Sequence, residues 1–323
     1  MGKGNVEKLN ERLSERKRLE ALKYLGKRGE REAEFIRNKA EGKKLLKIKK
    51  TILLHTQDYQ LPDPDKFEAI SARKAAVDTE EGVVYITDDV DVYASLASLG
   101  KPVIVYENDY NMGIDFTGAP YIIQEIEDIP EYYFNRMYRR LERIPWDILR
   151  TDRLLVRETV PTDVPEFYDI YSDPEITEYM EDLDQDPAAE IRKTEEYAEN
   201  AYDFYEYGIW TVLIEETHEI IGRAGIEQLD DSEIPSLGFM IGKKYQHNGY
   251  ATEVCQKIID YADKMINTDF IRVCVNEKNT GSIELCKKLG FKEPKEYMQE
   301  LGNDYRSLRN MDGLVNLVRK MEN

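Results

Sequence analysis

The sequence predicts an α/β protein with two domains behind a basic helical arm, and three observations carry this prediction. The chain has 323 residues, which fits two domains of ordinary size. Over residues 51–149, short apolar runs alternate with helical patterns, which is typical of a parallel sheet with crossover helices. After residue 150 the order changes to one strand, two helical stretches and three successive strands. This change marks a second domain over 150–323.

The first 50 residues form the predicted basic arm. They hold 17 Lys and Arg against 8 Glu; subtracting these from the totals of 45 and 64 leaves 28 against 56 elsewhere. No proline interrupts residues 5–40 and leucines recur at helical spacing, so we predict one or two surface helices broken near Gly26–Gly29. The arm is either a solvated helix or a contact surface for RNA, for a ribosome or for the acidic remainder of the chain.

Composition excludes several classes of protein. No apolar run reaches the length that spans a bilayer, and the N-terminus lacks the apolar core of a signal peptide. Cys255, Cys274 and Cys286 form no disulfide framework or CxxC pattern, so we expect a reducing compartment, the cytoplasm. We predict no metal site. We expect no membrane partner and no nucleic-acid partner beyond the basic arm, while an oligomer stays open.

The domain over 51–149 is predicted to be a small Rossmann-like unit with a parallel sheet. Its strands and helices, in order, are TILLHT (strand), FEAISARKAAV (helix), GVVYIT (strand), DVYASLASLG (helix), PVIVY (strand) and YIIQE (a fourth strand). Strands that alternate with helices pair in parallel because each crossover returns the chain to the same end of the sheet.

One part of this unit, VVYITDDVDVYASLASLGKPVIVY, resembles the later part of a HAD-type phosphatase fold. The resemblance implies a magnesium site at Asp88 and Asp89, where a strand ends. The family places a DxD nucleophile after its first strand, where this chain has His55 and Gln57. Without that carboxylate no phosphoryl enzyme forms, so we interpret the unit as a degenerate relative or a coincidental likeness. Capping of the next helix explains the two aspartates more simply.

The second domain begins after a helix and a break near Pro145 and Trp146. Its predicted elements, in order, are a strand at LLVRE, helical stretches over about 163–180 and 186–206, strands at IWTVLIEE, EIIGRAGIEQL and SLGFMIG, a helix to Met265, the strand FIRVCV, the helix TGSIELCKKLG, and strand-like tails at EYMQEL and LVNLVRKM.

The junction KKYQHNGYATEV carries the strongest chemical signal. Gly249 lacks the Cβ that blocks close approach of a ligand to the backbone. The first N–H groups of the following helix have no partner within the helix, and the helix dipole adds positive charge there. Together these features predict an anion site, most often for phosphate. The alternative is an ordinary strand-to-helix connection with a flexible residue.

A second motif makes this signal specific. The stretch NTGSIELCKKLGF lies at a later strand–helix junction, about 30 residues further on. Together the two motifs, in this order of elements, are similar to the GNAT family of acyl-CoA N-acyltransferases over about 150–323. That family's pyrophosphate loop has the form Q/R-x-x-G-x-G/A, which Gln246 to Ala251 match. The stretch from Thr151 to Tyr171 resembles the ribosomal-protein N-acetyltransferase-like branch.

The resemblance implies an α+β fold with a mixed sheet and a site for acetyl-CoA. Backbone N–H groups of the loop would bind the diphosphate, the backbone of the preceding strand would pair with the pantetheine amides, and the second motif would hold the pantetheine arm. The residues concerned are Met240, Ile241, Gln246, His247, Asn248, Gly249, Tyr250, Ala251, Thr252, Asn279 and Ser282. For Asn279 the alternative is a helix cap, and for His247 it is a solvent-facing side chain.

Two departures from the family concern catalysis. Many relatives carry a glutamate base on the strand before the loop, where this chain has Ser236 and Leu237, and a tyrosine acid where it has Cys286. We therefore predict Glu227 as the base, with a surface carboxylate as the alternative, and Cys286 as the acid, with packing as the alternative.

The resulting prediction is a cytoplasmic N-acetyltransferase that moves the acetyl group of acetyl-CoA directly to a primary amine. The acceptor is a protein N-terminus, a lysine or a small amine, and the acidic body favours cationic acceptors. The alternative is a non-catalytic protein that binds acyl-CoA, because the usual base and acid are both absent.

Overall fold

The chain consists of two compact units. One is Glu34–Trp146, here the parallel-sheet unit, and the other combines Met1–Ala33 with Asp147–Asn323, here the mixed-sheet unit. The computed structural model describes residues 13–25, 50–55, 68–71, 82–124, 126, 129–142, 144–229, 234–266, 268–306, 308 and 313–322. The predicted boundaries at 50 and 150 stay predictions of where folding units end. Among the described residues, every helix is too short or too polar to cross a bilayer.

Helix α1 (residues 13–25) is the described part of the predicted basic arm. It packs on the rest of the mixed-sheet unit, and polar contacts from Ser14 and Arg18 hold it there. Ser14 Oγ donates to the backbone carbonyl of Tyr168 at 3.0 Å, and Arg18 Nη2 donates to the Glu166 carboxylate at 3.0 Å. Of the alternatives for the arm, this helix therefore shows contact with the acidic remainder of the chain.

The parallel-sheet unit has five strands, as the alternation of strands and helices indicates. Its elements are β1 (Lys50–His55), β2 (Glu68–Ser71), β3 (Val83–Thr87), α2 (Val90–Ser98), β4 (Val103–Tyr106), β5 (Ile122–Ile123) and α3 (Glu131–Leu141). The strand order is β2-β1-β3-β4-β5 and every pairing is parallel. Apolar side chains are buried on both faces of this sheet, which explains why its strands are continuous apolar runs.

One prediction for this unit is wrong. The stretch FEAISARKAAV was predicted as a helix, but Glu68–Ser71 within it is strand β2, which pairs with β1. A short apolar run fits either period, so pairing with a neighbouring strand decides its conformation. The helix cap predicted for the end of β3 is confirmed for Asp89. Its carboxylate accepts from the backbone N–H groups of Asp91 and Val92 at the start of α2.

The mixed-sheet unit has seven strands. Its elements are β6 (Asp147–Arg150), β7 (Leu154–Arg157), α4 (Val164–Tyr171), α5 (Pro174–Thr177), α6 (Pro187–Tyr197), a π-helix (Ala198–Tyr205), β8 (Ile209–Ile214), β9 (Ile220–Glu227), β10 (Ser236–Ile241), α7 (Tyr250–Met265), β11 (Phe270–Asn276), α8 (Thr280–Lys288), α9 (Met298–Leu301) and β12 (Leu314–Lys320). The order β12-β11-β10-β9-β8-β7-β6 is antiparallel except between β10 and β11.

The predicted elements of this unit form with one exception. The tail EYMQEL, predicted as a strand, is a 3-10 turn followed by α9. Pro294 at the start of that turn fixes a helical φ and favours the turn over a ladder. The mixed α/β architecture that the resemblance implies is confirmed.

The two faces of the mixed sheet differ in chemistry. One face packs an apolar core against α7 and α8, with Trp210, Ile226 and Val254 among its buried side chains. The other face carries several polar side chains and is covered in part by α4, whose Phe167 lies in a cluster with Met240. Strand residues alternate between faces, so this division follows from the sequence of each strand.

Candidate active site

A gap opens between two neighbouring strands of the mixed sheet. β10 and β11 pair at a single register position, Ser236 opposite Arg272, over the described residues of both strands. In contrast, β10 pairs with β9 at all six of its residues. Beyond Ser236, the edge of β10 that faces β11 therefore keeps backbone groups that the sheet does not use.

The register decides which backbone groups face this gap. Gly242 donates its N–H to the carbonyl of Ile221 on the β9 side. Bonded and non-bonded pairs alternate along an antiparallel ladder, so Met240 also directs its backbone toward β9. Phe239 and Ile241 direct theirs toward the gap. The sequence predicted Ile241 and Met240 for the contact with the pantetheine arm; the backbone that faces the gap is that of Ile241 and Phe239, and the contact itself stays a prediction.

The turn after β10 bends sharply and ends in two residues with positive φ. A 3-10 turn, Lys243–Tyr245, comes first. His247 and Gly249 follow in the left-handed region, with φ of 63° and 80°. Gln246 closes the turn by donating from Nε2 to the carbonyl of Ile241 at 2.9 Å. The side chain of the motif's first residue therefore shapes the turn.

The turn leads directly into the open start of α7. Asn248 Nδ2 donates to the carbonyls of Tyr245 and Gln246 at 3.1 and 3.0 Å, which keeps the turn folded back on itself. Within the described residues, α7 begins without a side-chain cap. The N–H groups of residues 250–252 therefore have no partner within the helix and point away from its start. The dipole of this 16-residue helix favours an anion at that position. A phosphate group fits this position, because Gly249 adds no Cβ.

The second predicted motif lies at the start of α8. Asn279 Oδ1 accepts from the backbone N–H of Ser282 at 3.1 Å, so the predicted capping role is confirmed. Both side chains are partly buried at the end of β11, the strand on the far side of the gap. A role in holding a ligand's arm stays a prediction.

The polar face of the sheet carries the predicted base. Glu227 ends β9 opposite Ser236, at the level where the gap begins. Its carboxylate lies beside Gly238, whose added Cβ would be 3.6 Å from Oε1. At about 3.4 Å per residue, about 10 Å of strand separates Gly238 from Ile241 and the loop. Glu227 and the loop therefore lie at opposite ends of the same gap.

The surroundings of Glu227 shift the pKa of its carboxylate. Burial raises the pKa of Glu227 above its ordinary value, and the positive charge of Arg223, four residues earlier on the same face of β9, partly opposes that rise. Arg223 lies over the ring of Phe167 at 5.0 Å and shares a hydrogen bond with Tyr171. A partly buried carboxylate with a raised pKa beside a cleft is typical of a general base.

Two residues of this face were missed from the sequence. Arg223 shares the face of Glu227 because strand side chains repeat every second residue, and that spacing was visible in the sequence. The hydroxyl oxygen of Tyr197 accepts from the backbone N–H of Ile209 at 2.7 Å. Burial raises the pKa of Tyr197 to about 12. No local pattern links α6 to β8, so Tyr197 had no signal in the sequence.

Cys286, the predicted acid, lies elsewhere. It is fully buried in the core between the sheet and α7 and α8, together with Cys255. Burial raises the pKa of Cys286 to about 12. This environment favours the packing alternative, and the acid role stays a prediction.

The geometry defines a class of protein before any comparison. Backbone donors at a helix start would hold a phosphate-bearing carrier, an open strand edge would hold its arm, and a tuned carboxylate would act at the far end. This arrangement suits an enzyme that transfers a group from such a carrier without a protein nucleophile.

Comparison with known proteins agrees. Residues 153–292 match the family profile described as the acetyltransferase (GNAT) domain. The uncharacterized N-acetyltransferase p20 of Bacillus licheniformis is 28% identical over 151 residues, 46% of this chain and 83% of that protein. The uncharacterized N-acetyltransferase YoaA of Bacillus subtilis (strain 168) is 29% identical over 168 residues, 49% and 92% of the two chains. An acetyltransferase structure from Agrobacterium tumefaciens str. C58 has 22% identity and a TM-score of 0.43, covering 53% and 92%.

The chain contains an acetyltransferase domain of the GNAT family, as its two motifs predicted. The protein is an acetyl-CoA-dependent N-acetyltransferase. The match begins at Arg153, so the phosphatase-like resemblance of the parallel-sheet unit stays a prediction.

Proposed function

We propose that this enzyme acetylates a primary amine held on the polar face of the mixed sheet, by direct transfer with Glu227 as the base. The observation that carries the proposal is the position of Glu227. Its partly buried carboxylate lies at the level where the β10–β11 gap opens, and the turn that would bind the diphosphate lies at the other end. An acyl donor held by the turn and stretched along the gap would bring its acyl end to this carboxylate.

The donor site uses mostly backbone. We propose that N–H groups of residues 249–252 bind the diphosphate, and that the backbones of Phe239 and Ile241 pair with the amides of the arm. This assignment replaces the backbone of Met240 with that of Phe239, because Met240 is paired to β9. Asn279 and Ser282 would border the arm from α8. When bound, acetyl-CoA supplies an activated acetyl thioester.

Glu227 would prepare the acceptor. An amine is protonated near neutral pH and attacks only after it loses that proton. A carboxylate with a raised pKa accepts a proton more readily than an exposed one, and the positive charge of Arg223 opposes the rise that burial causes. The amine then attacks the thioester itself, so no protein nucleophile is needed.

Charge near the polar face supports a cationic acceptor. Residues 173–190 hold eight Asp and Glu and no Lys, Arg or His. Ile176 and Leu183 of this segment, and Ile191 directly after it, pack in one cluster with Met240, whose side chain lies on the polar side of β10. Negative charge at this border favours an amine that carries further positive charge.

A single-turnover assay tests the proposal. The enzyme is mixed with acetyl-CoA and one acceptor at a time. The acceptors are a linear diamine, the monoamine of the same carbon chain and a lysine-containing peptide. We expect acetyl transfer in all cases and faster transfer to the diamine at low salt, with the difference reduced at high salt. Binding of acetyl-CoA without transfer to any amine would contradict the proposal and favour a non-catalytic acyl-CoA-binding protein.

A further inference from the structure

Arg153, between β6 and β7, contacts one residue of the turn before α7 and two residues in the first turn of that helix. Its Nη1 donates to the carbonyl of Asn248 at 3.0 Å. Its Nε donates to the Glu253 carboxylate at 2.7 Å. Its guanidinium carbon lies over the ring of Tyr250, 4.5 Å from the centroid. One side chain from the β6–β7 connection thus contacts both the turn before Gly249 and the helix after it.

Glu253 is held from a second side. The Thr151 hydroxyl donates to Glu253 Oε1 and accepts from the backbone N–H of Leu154 at 2.9 Å. The Arg153 backbone N–H also donates to Oε1, at 3.2 Å. Burial acts to raise the pKa of Glu253, but the hydrogen bonds from Thr151 and Arg153 outweigh it and lower the pKa. The carboxylate is therefore ionised at neutral pH.

This negative charge is unexpected at its position. Glu253 lies in the first turn of α7, the turn whose N–H groups would bind a diphosphate. By Coulomb interaction alone, a carboxylate there opposes a bound anion. A carboxylate in a first turn also stabilises a helix through its dipole, but that effect requires no partner from the β6–β7 connection.

We propose that Thr151, Arg153 and Glu253 form a latch that positions the turn over residues 248–250 for acetyl-CoA binding. This inference rests on the proposed donor site. The three are positioning residues: they fix the carbonyl of Asn248 and the helix start, so that the N–H groups around Gly249 point together. The ordered turn spares the ligand the conformational entropy of ordering it.

The test compares Arg153→Ala, Arg153→Lys, Glu253→Gln and the double variant Arg153→Ala/Glu253→Gln by titration with acetyl-CoA and by steady-state kinetics. We expect each single variant to raise Kd and the KM for acetyl-CoA by about five- to tenfold, with kcat at saturation unchanged. The double variant should bind no worse than the weaker single variant, because both changes break one contact set. Lysine keeps the positive charge but lacks the planar guanidinium, which donates to two acceptors at once, so Arg153→Lys should not restore affinity.

Glu253→Gln separates the latch from simple electrostatics. If Arg153 served only to attract phosphate, removing the negative charge of Glu253 would tighten acetyl-CoA binding. The latch predicts weaker binding. A matched control is Arg150→Ala, since Arg150 is as exposed as Arg153, at 46% of its side chain, and pairs with Glu215 instead. That change should leave Kd and KM within about twofold of the parent.

Two results would overturn the latch while leaving the donor site intact. One is a Glu253→Gln variant that binds acetyl-CoA as tightly as the parent or more tightly. The other is an Arg153→Lys variant with parental affinity. Thr151→Val, a milder change, replaces Arg153→Ala if that variant fails to fold, and should also raise Kd. If instead Gly249→Val binds like the parent, the donor site itself is misplaced.

Discussion

The two ends of the β10–β11 gap are built in different ways. The turn after β10 would hold its ligand through consecutive backbone N–H groups, and Gly249 leaves room for it because it has no Cβ. The polar face at the other end depends on side chains from β9, α4 and α6 that meet only in the folded protein. Binding and chemistry are therefore expected to respond to different mutations.

The largest expected effect lies at the turn. Gly249→Val places a branched side chain at φ 80°, a conformation that β-branched residues rarely adopt, and puts a Cβ where a phosphate would approach. Losing two or more charge-assisted contacts of about 1.5–3 kcal/mol each should abolish measurable acetyl-CoA binding. Isothermal titration measures this. Circular dichroism should show a folded protein; parental affinity would place the diphosphate elsewhere.

Breaking the buried ion pair of Arg157 and Asp163 is expected to lower the stability of the fold strongly without changing the affinity of the donor site for acetyl-CoA. Arg157 Nη1 donates to Asp163 Oδ2 at 2.7 Å, and both side chains are almost completely buried. Asp163→Asn should lower the free energy of unfolding by about 3–5 kcal/mol, because it leaves the Arg157 charge buried without its partner. Urea unfolding measures the change.

The exposed pair of Lys292 and Glu296 is the control for that measurement. Glu296→Gln should cost less than about 1 kcal/mol. The folded Asp163→Asn protein should bind acetyl-CoA like the parent. A large loss of affinity in this variant would show that the two ends of the gap are coupled.

The pH dependence should separate the same two functions. A protonated Glu227 accepts no proton, so kcat should fall as the pH drops through the raised pKa of this group. The midpoint of this acidic limb should lie above about 4.3, the ordinary value for glutamate. Acetyl-CoA affinity over the same range should not follow the limb. A limb that persists unchanged in Glu227→Gln would assign it to another group.

The smallest effect is expected at Thr252. Thr252 lies in the first turn of α7, and Thr252→Ala removes a single hydroxyl that could bind the phosphate beside the N–H donors. Affinity for acetyl-CoA should fall about two- to tenfold. Titration of Thr252→Ala and Gly249→Val with acetyl-CoA compares the two losses of affinity. An equally severe loss in Thr252→Ala would mean that side chains, and not the backbone, dominate binding at the donor site.

The sequence predicted most of what depends on neighbouring residues. The turn around Gly249, the Asn279 cap and the Asp89 cap each combine residues within a few positions of one another, so their patterns are visible along the chain. The alternation of strands and helices likewise indicated the parallel sheet. In these places local propensity and tertiary structure agree.

Other features depend on residues that are distant in sequence. β2 forms because β1 offers a partner, and a short apolar run alone does not specify a strand. Arg153 and Glu253 are 100 positions apart, and only the fold brings them together. The exchange of Met240 for Phe239 in the gap depends on strand register, which is fixed by the whole ladder.

The central claim is that the backbone turn binds acetyl-CoA and Glu227 carries the chemistry. Measuring both properties on Glu227→Gln tests it most directly. Titration should give a Kd for acetyl-CoA equal to that of the parent, while the rate of acetyl transfer under single turnover falls about 10²- to 10⁴-fold. A variant that transfers acetyl at the parental rate, or one that loses acetyl-CoA binding together with activity, would contradict the account.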